Sequence, residues 1–230
     1  MKDPEIDEIL RRASQAPHEV YPALLDRIAG SIQPTVQPVR PLPPAWVLAS
    51  GLMAICAAVA AAGAARLGFF GIQHLSALER ALIFPALAIL IWFAATACVA
   101  EMIPGSRRRM APGSVLAVAS LALLAVFAFL FRDYHTDHFV HQGVACLAAG
   151  LLHAIPAAIA SWLLLRRGFA VNPVAAGLVA GTLAGLAGVS MLELHCANFE
   201  APHVMLWHTA VIPVSAAAGA LLGRLRGLRA

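Results

Sequence analysis

Long apolar runs alternate with short polar segments along the chain. Ala45–Ala65, Ala81–Ala100 and Met110–Phe131 contain no charged residue. Val144–Leu165 and Val174–Leu192 contain no Asp, Glu, Lys or Arg, and their only histidine is His153. Val204–Gly223 carries one, His208. At a rise of about 1.5 Å per residue, each run is long enough, or nearly so, to cross a hydrocarbon layer about 30 Å thick. A backbone in lipid must satisfy its own polar groups, so the runs are expected to be helices. The pattern predicts an all-α, polytopic membrane protein with six transmembrane helices.

The first 44 residues follow a different pattern. Ile6, Ile9, Leu10 and Ala13 recur at helical spacing, opposite Asp7, Glu8, Arg11 and Arg12. Asp3 suits the cap of this helix and Pro4 its first position. A second helix is expected from about Pro22, with Leu24, Leu25, Ile28 and Ile32 on one side. Both are too short to be stable alone in water, so each needs a surface to dock on. Residues 1–32 hold six acidic side chains against four basic ones. An anionic helix is a poor match for an anionic inner leaflet. Ile6, Ile9, Leu10, Leu24, Leu25 and Ile28 therefore read as a face for a protein partner.

Next comes PTVQPVRPLPPAW, residues 34–46, whose five prolines favour an extended, stiff linker. Trp46 is positioned as an interfacial anchor for the first span. The expected organisation is a cytoplasmic head over 1–33, a linker over 34–44, a membrane domain over 45–224 and a basic tail over 225–230.

Composition agrees with this organisation. Hydrophobic residues make up 60% of the chain and charged ones 12%, too little polar surface for a soluble domain of this length. No apolar h-region precedes the first span, which suits an uncleaved cytoplasmic segment. With six spans and an inside start, thirteen of the sixteen basic residues fall in inner segments. Arg107–Arg109, Arg166–Arg167 and Arg224, Arg226 and Arg229 are the clusters. The asymmetry predicts an inner-membrane protein with both termini cytoplasmic. The net charge of +4 then serves orientation rather than direct nucleic-acid binding.

The metal-binding side chains concentrate on the other side. His74, His135, His138, His141, His195 and His203 lie in or beside expected outer loops, together with Cys196. DYHTDHFVH (133–141) offers donors suited to a divalent transition metal. His135, His138, His141, His195 and His203 are the candidate ligands, although neither H-E-x-x-H nor C-x-x-C occurs. Cys146 is expected just inside the outer end of the fourth span and Cys196 at the outer end of the fifth. Packed side by side, their sulfurs would lie at similar height. A disulfide and a pair of thiolate ligands beside His195 are both compatible with that. Cys56 and Cys98 read as apolar filler. Gly177, Gly181, Gly185 and Gly188 on the fifth span mark a close-packed seam. No enzyme constellation emerges. The apolar middles of the spans argue against a conduit for ions.

Several short stretches resemble the six-span bacterial anti-sigma factors described as negative regulators of sigma-F. These are Cys146 with Pro156, RRGFAVNP (166–173), AGLVAGTLAGLAG (176–188), LHC (194–196), LWHT (206–209) and GALLGR (219–224). PVRPLPP (38–44) is similar to the family's entry to the first span. The resemblance implies that the head holds an extracytoplasmic-function sigma factor at the membrane and releases it on an envelope signal. It also implies that Cys146 and Cys196 face the periplasm as sensor thiols, associated with stress such as heavy metals. The chain departs from the family in its longer head, in His208 where an aromatic is expected, and in a less acidic loop after Cys196. A small metal or solute transporter capturing its cargo through the outer histidines is the alternative, followed by a membrane-embedded metalloenzyme.

Overall fold

The computed structural model describes residues 8, 11, 22–32, 42–103, 105–106, 110–136, 139–168 and 170–227. The described residues are helical and loop, with no strand among them. Two compact units divide the chain, Met1–Leu42 and Pro43–Ala230.

In the first unit, helix α1 spans Pro22–Ile32. Leu25 and Ile28 are exposed on it. Glu8 and Arg11 form an ion pair. Ile6, Ile9 and Leu10 lie outside the described residues, as does the side chain of Leu24. Most of the proline linker also lies outside them.

The second unit holds six helices long and apolar enough to cross a membrane. They are α2 (Ala45–Leu67), α4 (Ala77–Met102), α5 (Pro112–Leu130), α6 (Phe139–Leu165), α7 (Pro173–His195) and a composite sixth span over Ala201–Leu225. The short α3 (Phe70–His74) joins α2 to α4. The sixth span consists of α8 (Ala201–His203), a π-helical turn over Val204–His208, and α9 (Thr209–Gly227). Trp46, Leu121 and Phe129 are among the large apolar side chains left exposed, as expected for surface solvated by lipid.

Local chemistry fixes where the spans begin. Ser76 Oγ accepts the Glu79 amide at 3.3 Å, and Glu79 Oε2 accepts the Ser76 amide at 2.6 Å. This capping box starts α4 at Ala77, a turn before the charge-free run at Ala81. Asn172 Oδ1 accepts the Ala175 amide at 3.1 Å, and Pro173 occupies the first position of α7. Gly68, with φ of +107°, ends α2. Pro85 and Pro156 do not break their spans, because α4 and α6 run through them.

Helix α7 is the centre of the bundle. Of its apolar stretch 78% is buried, against 22–44% in the other five spans. A helix that is apolar all round can be enclosed on every side, and the small residues of α7 let neighbours come close. A Cβ at Gly177 would collide with the carbonyl oxygen of Gly219 on α9, and one at Gly188 with that of Gly150 on α6. Lipid tails are as apolar as leucine, so helix association here depends on such dense packing. The hydroxyls of Thr182 and Ser190 donate back to Leu178 and Leu186 carbonyls at 2.9 and 2.8 Å, leaving no polar demand on the seam.

Gly219→Ala would push a methyl into the α7 backbone, at a cost of roughly 1–3 kcal/mol. Its thermal unfolding midpoint in detergent is expected to fall below that of the parent. Gly51→Ala, where nothing lies within 4 Å, is expected to leave the midpoint unchanged.

A cysteine and histidine cluster at one end of the bundle

The ends of α6 and α7 bring Cys146 and Cys196 together. Cys146 lies near the start of α6, and Cys196 directly follows α7, its amide bonded to the Leu192 carbonyl at 2.7 Å. Their sulfurs are 3.5 Å apart. That exceeds the covalent S–S length of about 2.05 Å, so both are free thiols.

The sixth span then adds two imidazoles. His203 Nε2 lies 3.7 Å from the Cys196 sulfur. His203 and His208 meet edge to face with ring centroids 5.3 Å apart. In an α-helix, residues five apart point about 140° away from each other. The π turn closes that angle, since its hydrogen bonds span five residues. The Thr209 amide accordingly reaches the Val204 carbonyl. Trp207 braces the turn from the other side. Its ring occupies the space a side chain at Gly143 would need, and it tilts against Phe139 at 5.6 Å.

Below the cluster lies a buried acid. Glu193 and His208 are both fully buried, and His208 Nδ1 donates to Glu193 Oε1 at 2.7 Å. Several polar atoms nearby have no such partner. Apart from Ser120 Oγ, the buried side-chain nitrogens and oxygens without a hydrogen bond among the described residues all fall between Glu193 and Thr209. They include Glu193 Oε2, His203 Nδ1 and His208 Nε2. Each such group typically costs about 1–3 kcal/mol.

The other candidate ligands sit elsewhere. His195 Nδ1 donates to the Gly68 carbonyl at 3.0 Å, and its ring tilts against Phe70. His135 bonds Asp133 through its ring and, at 3.2 Å, through its amide, which holds the exposed Asp133 carboxyl below the usual carboxylate range. His141 is exposed in the first turn of α6, and His138 lies outside the described residues. Of the sequence-derived candidates, the fold therefore gathers Cys146, Cys196 and His203. It adds His208, the ionisable group of the sixth apolar run, and Glu193, which directly follows the fifth. A separate cavity of about 540 Å³ opens at the same end, lined by His74, Glu79, Arg132, Asp133, Asn198 and Glu200 among others. It does not include the cysteines.

The family description "negative regulator of sigma F" matches residues 34–229 of this sequence. The chain belongs to that family. The match takes in all six spans and the cluster, and it starts at the proline linker, so residues 1–33 lie outside it. Neither a curated protein nor a solved structure matches the chain significantly. A family of sigma-factor regulators is not an enzyme family, and its description makes a sigma factor the target of this membrane protein.

The geometry around the sulfurs predicts a specific cross-link. A thiol oxidant applied to the detergent-purified protein is expected to join Cys146 to Cys196, identified by mass spectrometry of the linked peptides. Cys196→Ser should abolish it. A dominant link involving Cys56 or Cys98 would contradict the arrangement.

Proposed function

We propose that the chain sequesters an extracytoplasmic-function sigma factor at the bacterial inner membrane and releases it when an envelope signal reaches Cys146 and Cys196. The observation that carries this reading is the approach of the two sulfurs to 3.5 Å near the start of α6, while Arg166 and Arg167 follow its other end. The excess of Lys and Arg in the expected inner segments of the sequence supports a topology with both termini cytoplasmic and the thiols facing the envelope.

Sequestration falls to the N-terminal head. Leu25 and Ile28 are exposed on α1, and an isolated helix of this length is marginal in water. Covering that face with a sigma factor would stabilise both the helix and the complex. Ile6, Ile9, Leu10 and Leu24 continue the same apolar pattern in the sequence. The sigma factor, not this chain, then engages RNA polymerase and DNA.

The signal-receiving step is simple in its balance. Two thiols surrender two protons and two electrons to an envelope oxidant, and one S–S bond forms. The sulfurs then close from 3.5 Å to about 2.05 Å, drawing the start of α6 toward the loop after α7.

An impermeant thiol reagent is expected to label Cys146, the more exposed of the two thiols, on intact cells, and the native membrane protein to co-purify with a sigma factor. Cys146→Ser/Cys196→Ser should keep the sigma factor bound under oxidant while inserting normally. Labelling that requires opened vesicles would reverse the topology. Loss of the sigma factor only when membrane-domain loops are altered, and not on removal of residues 1–33, would move the inhibitory surface out of the head.

A further inference from the structure

We propose that Cys146, Cys196, His203 and His208 form a tetrahedral two-sulfur, two-nitrogen site for one thiophilic divalent ion of the zinc and cadmium class, with Glu193 holding His208 in position. The proposal rests on the reading of Cys146 and Cys196 as sensing thiols, and it names the ligand they take.

Distances support it first. With metal–sulfur bonds of about 2.3 Å and metal–nitrogen bonds of about 2.0–2.1 Å, the edges of a tetrahedral site run from about 3.3 to 3.8 Å. The two sulfurs are 3.5 Å apart, and the Cys196 sulfur is 3.7 Å from His203 Nε2. All four ligand atoms lie within 4.8 Å of one another, so closing the widest edge takes a shift of about 1 Å.

The orientation of His208 supports it independently. Its Nδ1 is committed to Glu193 at 2.7 Å, which leaves Nε2 as the free ligand atom. A buried carboxylate on the far nitrogen is the arrangement that fixes the tautomer and ring plane of metal-binding histidines. His208 Nε2 is buried and has no hydrogen-bond partner. An ion would satisfy it fully, whereas without one the ring has the Cys196 thiol beside it, a weak hydrogen-bonding group.

The donor set selects the ion. Two thiolates and two imidazoles in tetrahedral array favour zinc-like ions over magnesium or calcium, which take oxygen ligands. On binding, each thiol releases one proton, and the two thiolate charges neutralise the ion within the low-dielectric end of the bundle. The exposed His135 and His141 take no part.

The test uses the full-length, reduced protein in detergent, titrated with Cd²⁺ and followed by its thiolate charge-transfer absorption, with Zn²⁺ as competitor. One ion per chain is expected, accompanied by protection of Cys146 and Cys196 from alkylation. His208→Ala and Glu193→Gln should weaken binding about ten- to a hundredfold, while His135→Ala and His141→Ala bind as the parent does. Absence of binding, or parental affinity in both His203→Ala and His208→Ala, would overturn the site. Oxidative cross-linking of Cys146 to Cys196 in the same variants checks that they are folded. Intact oxidant-driven release of the sigma factor without any Cd²⁺ binding would remove the ion site and leave the thiol reading standing. Normal Cd²⁺ binding, with release unaffected by loss of both cysteines, would do the reverse.

Discussion

Contact between helix backbones across glycine is the constraint on which this bundle depends. In water, α7 would be held by the expulsion of solvent from its neighbours. In lipid that force between helices is largely absent, and dispersion between closely fitted surfaces takes its place. Gly177 against Gly219 and Gly188 against Gly150 bring α9 and α6 near enough to α7 for their main chains to touch. Because α7 is clasped from both sides, its final turn has little freedom. Glu193, His195 and Cys196 inherit that rigidity, and so does everything built around them.

That rigidity gives the cysteine and histidine cluster its chemical character. Glu193 stands at the end of the most enclosed helix, so its carboxylate is withdrawn from water and answered mainly by His208. Cys146 comes from α6, which is clasped against α7 through Gly150 and Gly188. The sulfurs are therefore brought together by helix packing rather than by a flexible loop. A change in their separation, from bond formation or from a shared ligand, acts on the two helices directly. The family assignment covers this whole assembly and stops short of the acidic head. The membrane domain is thus the part that the family description covers.

Much of this was legible in the sequence because the bilayer simplifies the problem. Charge-free runs such as Met110–Phe131 have one viable backbone, and the stretch became α5 with its first helical residue at Pro112. The glycine spacing of the fifth span announced its close packing, though not that α7 would be the helix surrounded by the others. Matching depth put Cys146 and Cys196 at one height, and the packing of α6 on α7 brings them together. His195 looked equally eligible beside Cys196, since adjacent residues at a helix end are indistinguishable by depth. What separated them was a local matter, the Gly68 carbonyl that claims His195. The place of His208 in the cluster was hidden for a different reason. Five residues from His203, it belongs to another face of any α-helix, and periodicity reasoning had no access to the π turn. Glu193 lies just past a charge-free run, and its burial depends on how α7 is enclosed.

The sixth span carries one residue more than an unbroken helix would need, and its two halves consequently keep separate registers. From His208 downward, Ile212, Ser215, Gly219 and Gly223 recur every three or four residues, all packed toward α7. That half is locked by main-chain contact. Above the π turn the phase is set instead by where His203 finds its neighbour, the sulfur of Cys196 just past the end of α7. The span works like a shaft with a keyed lower end and an upper end indexed by its own chemistry, so the slack between the two is confined to Val204–His208.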